Sequence, residues 1–222
     1  MSGTIGGIAA LAALALIVVV PIALSLHRRP PEEVVTTGSA RGRAGMAVHP
    51  WRGHRASGPM SWALAAGVTA LGLYFLGSSS YAAAVFIAAG LCLLYLVWAR
   101  TTGRAGDGTL TFTPEGLHQL LAGSEVFVPW DAVRGLVTTP QDFIVETTRP
   151  VVPVHHMPTW LGRRNVVTAD AISLPRQNLP PLPYQEMVEL YSTSPAAREE
   201  LATDEPVRRA RGLLSATGSG SR

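Results

Sequence analysis

Few residues of this chain could do chemistry: His155-His156, Arg163-Arg164, and the arginines at 28, 29, 41, 43, 52 and 55. The histidine pair is the nearest approach to a metal signal. Successive side chains on a strand point to opposite faces, so two adjacent imidazoles cannot readily close on one ion, and no cysteine or carboxylate stands close to them in sequence. Arg163-Arg164, following Trp160, is a loop pair whose guanidinium forks suit an anion or a membrane surface. Arg28, Arg29, Arg41, Arg43, Arg52 and Arg55 suit anionic headgroups, at about 1 kcal/mol each near such a surface. Asp131 is read as supporting a turn, and Glu199 and Glu200 as lying on an exposed helix. There is no phosphate loop, dinucleotide fingerprint, nucleophile elbow or metalloprotease helix. The expectation is a non-enzymatic protein with no catalytic residue, no metal ligand and no cofactor.

Composition narrows the class further. With 47% hydrophobic and only 15% charged residues, the chain departs from soluble domains, in which about a quarter of residues are charged. All 18 basic residues are arginine, which reflects the codon usage of a high-GC bacterial genome rather than a function. Nucleic acid is not an expected partner, because the arginines gather in one loop rather than on the face of a folded domain. The single cysteine, Cys92, excludes a disulfide within the chain and is read as a small packing residue in an apolar block. His27, His49 and His54 belong to the arginine-rich loop and are read as solvated or interfacial.

The elements that must position these groups begin with apolar runs. Thr4–Leu26 is uncharged and would make about 34 Å of helix, enough to cross a hydrocarbon core of about 30 Å. Ala23-Leu24-Ser25 loosely resembles a cleavage site, but the positive n-region of a signal peptide is missing. SWALAAGVTALGLYFL and YAAAVFIAAGLCLLYLVWA follow, separated by Gly77, Ser78, Ser79 and Ser80. Trp62, Tyr74, Phe75, Tyr81, Tyr95 and Trp98 fall near the ends of these runs, where aromatic rings meet headgroups. Ala63 and Gly67, Ala66 and Ala70, and Ala84 and Ala88 repeat at the four-residue spacing that lets helices approach. Arg100 and Arg104 join the six loop arginines, whereas the N-terminus and the serine turn carry none. The positive-inside rule then puts the N-terminus outside and both the loop and the C-terminal part in the cytoplasm. Because no run contains an ionisable residue, the membrane region reads as an anchor rather than a conduit.

The pattern changes after the linker. Thr109–Thr113 alternates apolar residues with threonine, Pro114-Glu115-Gly116 turns, and Leu117–Leu121 returns. Further strands are expected over Val126–Trp130, Val133–Thr139 and Phe143–Thr148, with weaker ones around Val151–His155 and Val166–Ile172. Tyr184, Met187, Val188 and Tyr191 share a helical face, and Ser194-Pro195 reads as an N-cap and first turn.

The order strand, Pro114-Glu115-Gly116-Leu117, strand, Val128-Pro129-Trp130-Asp131-Ala132-Val133, more strands and a C-terminal helix resembles small membrane-anchored bacterial proteins with a pleckstrin-homology-like (PH-like) domain. The phrase Tyr191–Leu201 is similar to their terminal helix. The resemblance covers about Gly108–Leu201 and implies a bent sheet capped by a helix, with Trp130 as fold anchor. It does not imply phosphoinositide binding, since His118, beside Glu115 and Glu125, is the nearest approach to a basic first-hairpin pocket.

The expected fold class is three transmembrane helices followed by a small mostly-β PH-like barrel or sandwich with a C-terminal capping helix. Its parts are a first transmembrane helix over 1–27, a flexible arginine-rich cytoplasmic loop over 28–57, a transmembrane hairpin over 58–100, a linker over 101–108, the β domain over 109–201 and a disordered tail over 202–222. The leading functional expectation is a protein-interaction or scaffolding module at the inner face of the cell membrane. Its partners would be membrane lipids and another membrane or cytoplasmic protein. An anionic-lipid sensor and an accessory subunit of a transporter or envelope enzyme are the alternatives. Oligomeric state is not legible.

Overall fold

The computed structural model describes residues 29–51, 57–76, 80–158, 166–176 and 179–219. They form two units: a helical one with residues 57–76 and 80–103, and a mostly-β one with residues 29–51 and 104–219. The β unit is therefore discontinuous in sequence, with the helical pair inserted into it.

In the helical unit, α2 (Ser57–Phe75) and α3 (Ser80–Thr101) pack as an antiparallel pair. Small residues set the approach. A Cβ at Gly72 would come within 2.8 Å of the Ile87 backbone nitrogen, and one at Gly90 within 2.9 Å of the Thr69 backbone. Phe75 stacks on Phe86 at 5.7 Å between centroids, and Ala65 and Ala83 are fully buried. The outer surface stays apolar, with Leu73, Tyr74, Tyr81, Val85 and Leu91 all exposed. Cys92 is also exposed, so it is not the packing residue expected.

Three transmembrane helices are not what the described residues contain. One helix, α3, is long and apolar enough to cross a membrane, over Ala83–Thr101 with a mean hydropathy of 2.0. The apolar stretch of α2, Pro59–Phe75, gives only about 26 Å of helix, short of the hydrocarbon core. The run Thr4–Leu26 lies outside the described residues.

The β unit begins with a short helix, α1 (Pro31–Val34), and a hairpin of β1 (Val35–Ala40) and β2 (Arg43–Val48). This stretch differs from the flexible loop expected there. Arg41 and Gly42 both take positive φ, 52° and 77°, giving the two-residue turn whose twist matches the strands. Its glycines serve close approach: a Cβ at Gly38 would fall 2.7 Å from that of Ala47, and one at Gly45 would strike the Phe112 carbonyl.

β2 then pairs with β3 (Asp107–Thr113), through Met46–Phe112, Ala47–Thr111 and Val48–Leu110. β4 (Gly116–Leu121), β5 (Ser124–Pro129) and β8 (Val154–His155) complete an antiparallel sheet in the order β1-β2-β3-β4-β5-β8. A 3-10 turn over Trp130–Ala132 leads into the second antiparallel sheet, β6-β7-β10-β9. Its strands are β6 (Val133–Thr138), β7 (Asp142–Thr147), β9 (Val166–Thr168) and β10 (Ala171–Pro175). Gln119 links the sheets, its amide donating to the Ser173 carbonyl at 3.2 Å.

Three helices follow: α4 (Tyr184–Thr193), α5 (Pro195–Glu200) and α6 (Glu205–Ser219). Ser194 caps α5 by accepting from the Ala197 N–H at 3.3 Å. The expected capping helix and the short helix begun by Ser194-Pro195 correspond to α4 and α5, whereas α6 is an additional helix over residues expected to be a disordered tail. α6 buries Val207, Ala210 and Leu214, an i, i+3, i+7 stripe, in the same core as Val34 and Val35. Arg211 ties it down, donating to the Val35 carbonyl at 2.8 Å and the Glu32 carbonyl at 3.1 Å. At the centre of the core, Trp130 stacks with Phe112 and tilts against Tyr191, while its indole N–H donates to the Thr113 carbonyl at 2.7 Å.

Candidate functional site

The structure puts the arginines singled out from the sequence to varied use. Arg41, at the β1–β2 turn, lies 3.8 Å from Glu125 and over the Phe127 ring at 4.6 Å. Arg43 pairs with Glu115 at 2.7 Å, joining the tips of two hairpins. The backbone N–H of Arg29 donates to the Trp51 carbonyl at 2.9 Å. Arg28, Arg52, Arg55, Arg163 and Arg164 lie outside the described residues, so these eight are not seen to share a site.

The histidines part company as strand geometry requires. His155 meets the buried Ser124 hydroxyl, Nδ1 to Oγ 2.9 Å, whereas His156 donates from Nε2 to Glu125 at 2.8 Å. His118, on β4, donates to the other carboxylate oxygen at 3.0 Å. One carboxylate therefore holds two imidazoles, and these bonds, led by that of His156, draw its pKa below the usual 4.5 against the opposing effect of burial. Sequence set His118 beside Glu125 but offered no signal for His156, because β5 and the stretch after β8 meet only through strand register. Among the described residues no group of three or more His, Cys, Asp or Glu is arranged to hold a metal ion.

His49 is a structural residue. Its ring lies between the Thr36 and Thr109 hydroxyls, at 3.0 and 3.2 Å, tying β1 to β3 across β2. His27 and His54 lie outside the described residues. Asp131 pairs with Arg149 at 3.3 Å, and Glu200 pairs with Arg209, so these carboxylates brace turns and helices.

A concave feature of the β unit lies between α4 and α6. It is a cleft of about 130 Å³ lined by Met46, Met187, Leu190, Tyr191, Ala210 and Leu213, with the exposed Glu186 and Arg209 beside them. α4 turns Val188 and Tyr191 inward and α6 turns Ala210 and Leu214 inward, leaving Leu190 42% and Leu213 44% exposed on the facing flanks. Such a lining can take an apolar side chain, with Glu186 and Arg209 as the charged groups at its border. Burial pushes the Tyr191 phenol up, with the Glu200 charge adding to the effect, so the hydroxyl stays protonated and neutral at ordinary pH. Sequence missed the cleft because half of it is α6.

No protein-family model, no curated protein and no solved structure matches the chain.

Proposed function

We propose that this chain is a membrane-associated protein-interaction module whose β unit receives an apolar segment of a partner protein in the cleft between α4 and α6. The observation that carries this reading is the pair of half-exposed leucines, Leu190 and Leu213, facing one another over a methionine-lined floor. Buried apolar anchors of this kind dominate protein–protein binding, and methionine adapts to the shape of the incoming side chain. The adjacent Glu186 and Arg209 supply a polar rim of both signs. Kinship with membrane-anchored bacterial PH-like proteins belongs to the same proposal and rests on the Val128–Val133 and Tyr191–Leu201 phrases.

Membrane association is supported by the apolar outer surface of α2 and α3. The insert leaves the sheet after β2 and rejoins it at β3, its paired neighbour. Both ends of the insert therefore lie on one side of a bilayer, and α2 and α3 would enter it together as a hairpin. Arg100 and Arg104 beside it favour the cytoplasm for the β unit. A headgroup-reading function is less well supported, since Arg41 and Arg43 already face Glu125 and Glu115.

Photo-cross-linking from positions 190 and 213 of the full chain in its native membrane tests the reading. We expect one discrete protein adduct from both positions, lost from position 190 with Leu213→Asp and from position 213 with Leu190→Asp while the thermal melt is retained. Adducts to lipid alone, or unchanged adducts in these two variants, would remove the cleft as the docking site.

A further inference from the structure

The segment 149–158 crosses the open side of β5, and little holds it there. Its backbone pairs with β5 only at Ser124–His155 and Glu125–Val154. Val151 packs on the core and Met157 is buried, but between them Val152 and Val154 are 80% and 46% exposed, so apolar burial contributes little there. What fastens it lies at its two ends and in its histidines. Arg149 meets Asp131, and the Val151 N–H donates to the Ala169 carbonyl at 2.7 Å. At the other end the His156 N–H donates to the Gly123 carbonyl at 2.8 Å, and Met157 covers Gly123 so closely that a Cβ there would fall 2.8 Å from its own. Between these ends, His155 meets Ser124 and His156 donates to Glu125.

Glu125 is the pivot. It stands on β5, takes His118 from β4 and His156 from the segment on separate oxygens, and has Arg41 of the β1–β2 turn 3.8 Å away. Arg41 keeps its charge throughout the physiological range and favours the ionised carboxylate. Imidazole is the side chain whose charge ordinarily changes between about pH 5 and 8. The bond from a neutral ring to a carboxylate is already charge-assisted, and protonating the ring adds the attraction of an opposite charge.

We propose that segment 149–158 is a pH-sensitive latch on the β5 edge, gripping when Glu125 is ionised and His156 is protonated and loosening as that imidazole loses its proton. A lysine or arginine at position 156 would give a permanent link. Histidine makes the link conditional.

Hydrogen–deuterium exchange of the full chain in detergent micelles or nanodiscs tests the latch. Peptides covering 150–158 are followed from about pH 5.5 to pH 8, with exchange times scaled for the intrinsic rate. Protection should fall by up to about fivefold over that range, as expected for the loss of a partly exposed ion pair. Peptides from β10 should not change. Glu125→Gln should flatten the profile, and His156→Asn should do the same with Glu125 intact. A flat profile in the unaltered chain, an undiminished profile in both variants, or an equal change in β10 would overturn the latch.

Discussion

Val48 on β2 stands directly opposite Leu110 on β3, and both are buried in the core. The β unit is thus assembled from two stretches of chain that the helical pair separates. A fragment starting at Arg104 lacks Val34, Val35, Met46 and Val48, all of which are buried in the shared core. We expect that fragment to be insoluble or unfolded, whereas 29–51 joined to 104–219 by a short flexible linker should unfold in one cooperative thermal transition. Equal cooperativity of the two would mean that the first hairpin is an accessory to the fold.

Trp130 is 1% exposed, lies 6.2 Å from Phe112 and 5.7 Å from Tyr191 between ring centroids, and satisfies the Thr113 carbonyl. Trp130→Ala should cost about 3–5 kcal/mol from the lost packing. Trp130→Phe keeps most of the ring contact and loses the indole donor, so its cost should lie nearer the 1–3 kcal/mol of an orphaned buried acceptor. Denaturant unfolding of the joined β unit would rank the two.

Legibility in the sequence followed the range of the interactions. Leu110 and Phe112 alternate with threonine, Pro114-Glu115-Gly116 is strong turn chemistry, and Ser194-Pro195 is a local cap, so β3 through β7 and α4 and α5 could be read from neighbours alone. β1 and β2 could not, because Gly38 and Gly45 make a strand only when Ala47 and Phe112 press against them. The α6 stripe of Val207, Ala210 and Leu214 was present in the sequence, but its glycines and serines hid it. Glu125 and His156 met through the pairing of β5 with β8, and that register is set by the whole sheet rather than by either residue.

The Tyr184 hydroxyl is buried without a hydrogen-bond partner among the described residues, and burial raises its pKa well above the usual value. Its ring is well placed, 5.2 Å from that of Phe143. Tyr184→Phe removes the orphaned hydroxyl and keeps the ring, so stability should rise, by about 1 kcal/mol or more. A thermal melt would show it, and a lower transition temperature would reveal a partner for the hydroxyl.

The depressed pKa of Glu125 makes a prediction about acid. A carboxylate with a folded pKa below its ordinary 4.5 binds protons less readily in the native state than in the unfolded chain. Its contribution is fully present above that ordinary value and is lost as pH falls through the lower, folded value. Glu125→Gln should therefore flatten the fall of the melting temperature at pH values below about 4.5 and leave the Arg43–Glu115 pair undisturbed. Parallel acid titrations of the two proteins would reveal the difference, and superimposable curves would deny Glu125 its role.

Gly90 decides how closely α3 lies against α2. A Cβ there would sit 2.9 Å from the Thr69 backbone, and backbone cannot yield as a side-chain tip can. Thr69 is itself fixed, its hydroxyl donating to the Ala65 carbonyl at 2.8 Å. In a bilayer the lipid tails are as apolar as the helices, so close packing at small residues carries much of the association. Gly90→Leu should consequently cost about 1–3 kcal/mol of helix pairing through overpacking. Cysteines placed at Phe75 and Phe86, whose rings are stacked, would report it in a Cys92→Ser background. Disulfide trapping should be efficient with Gly90 and largely lost with leucine, while the melt of the β unit stays unchanged. Undiminished trapping would show that the pair adjusts around the larger side chain and that glycine is not required there.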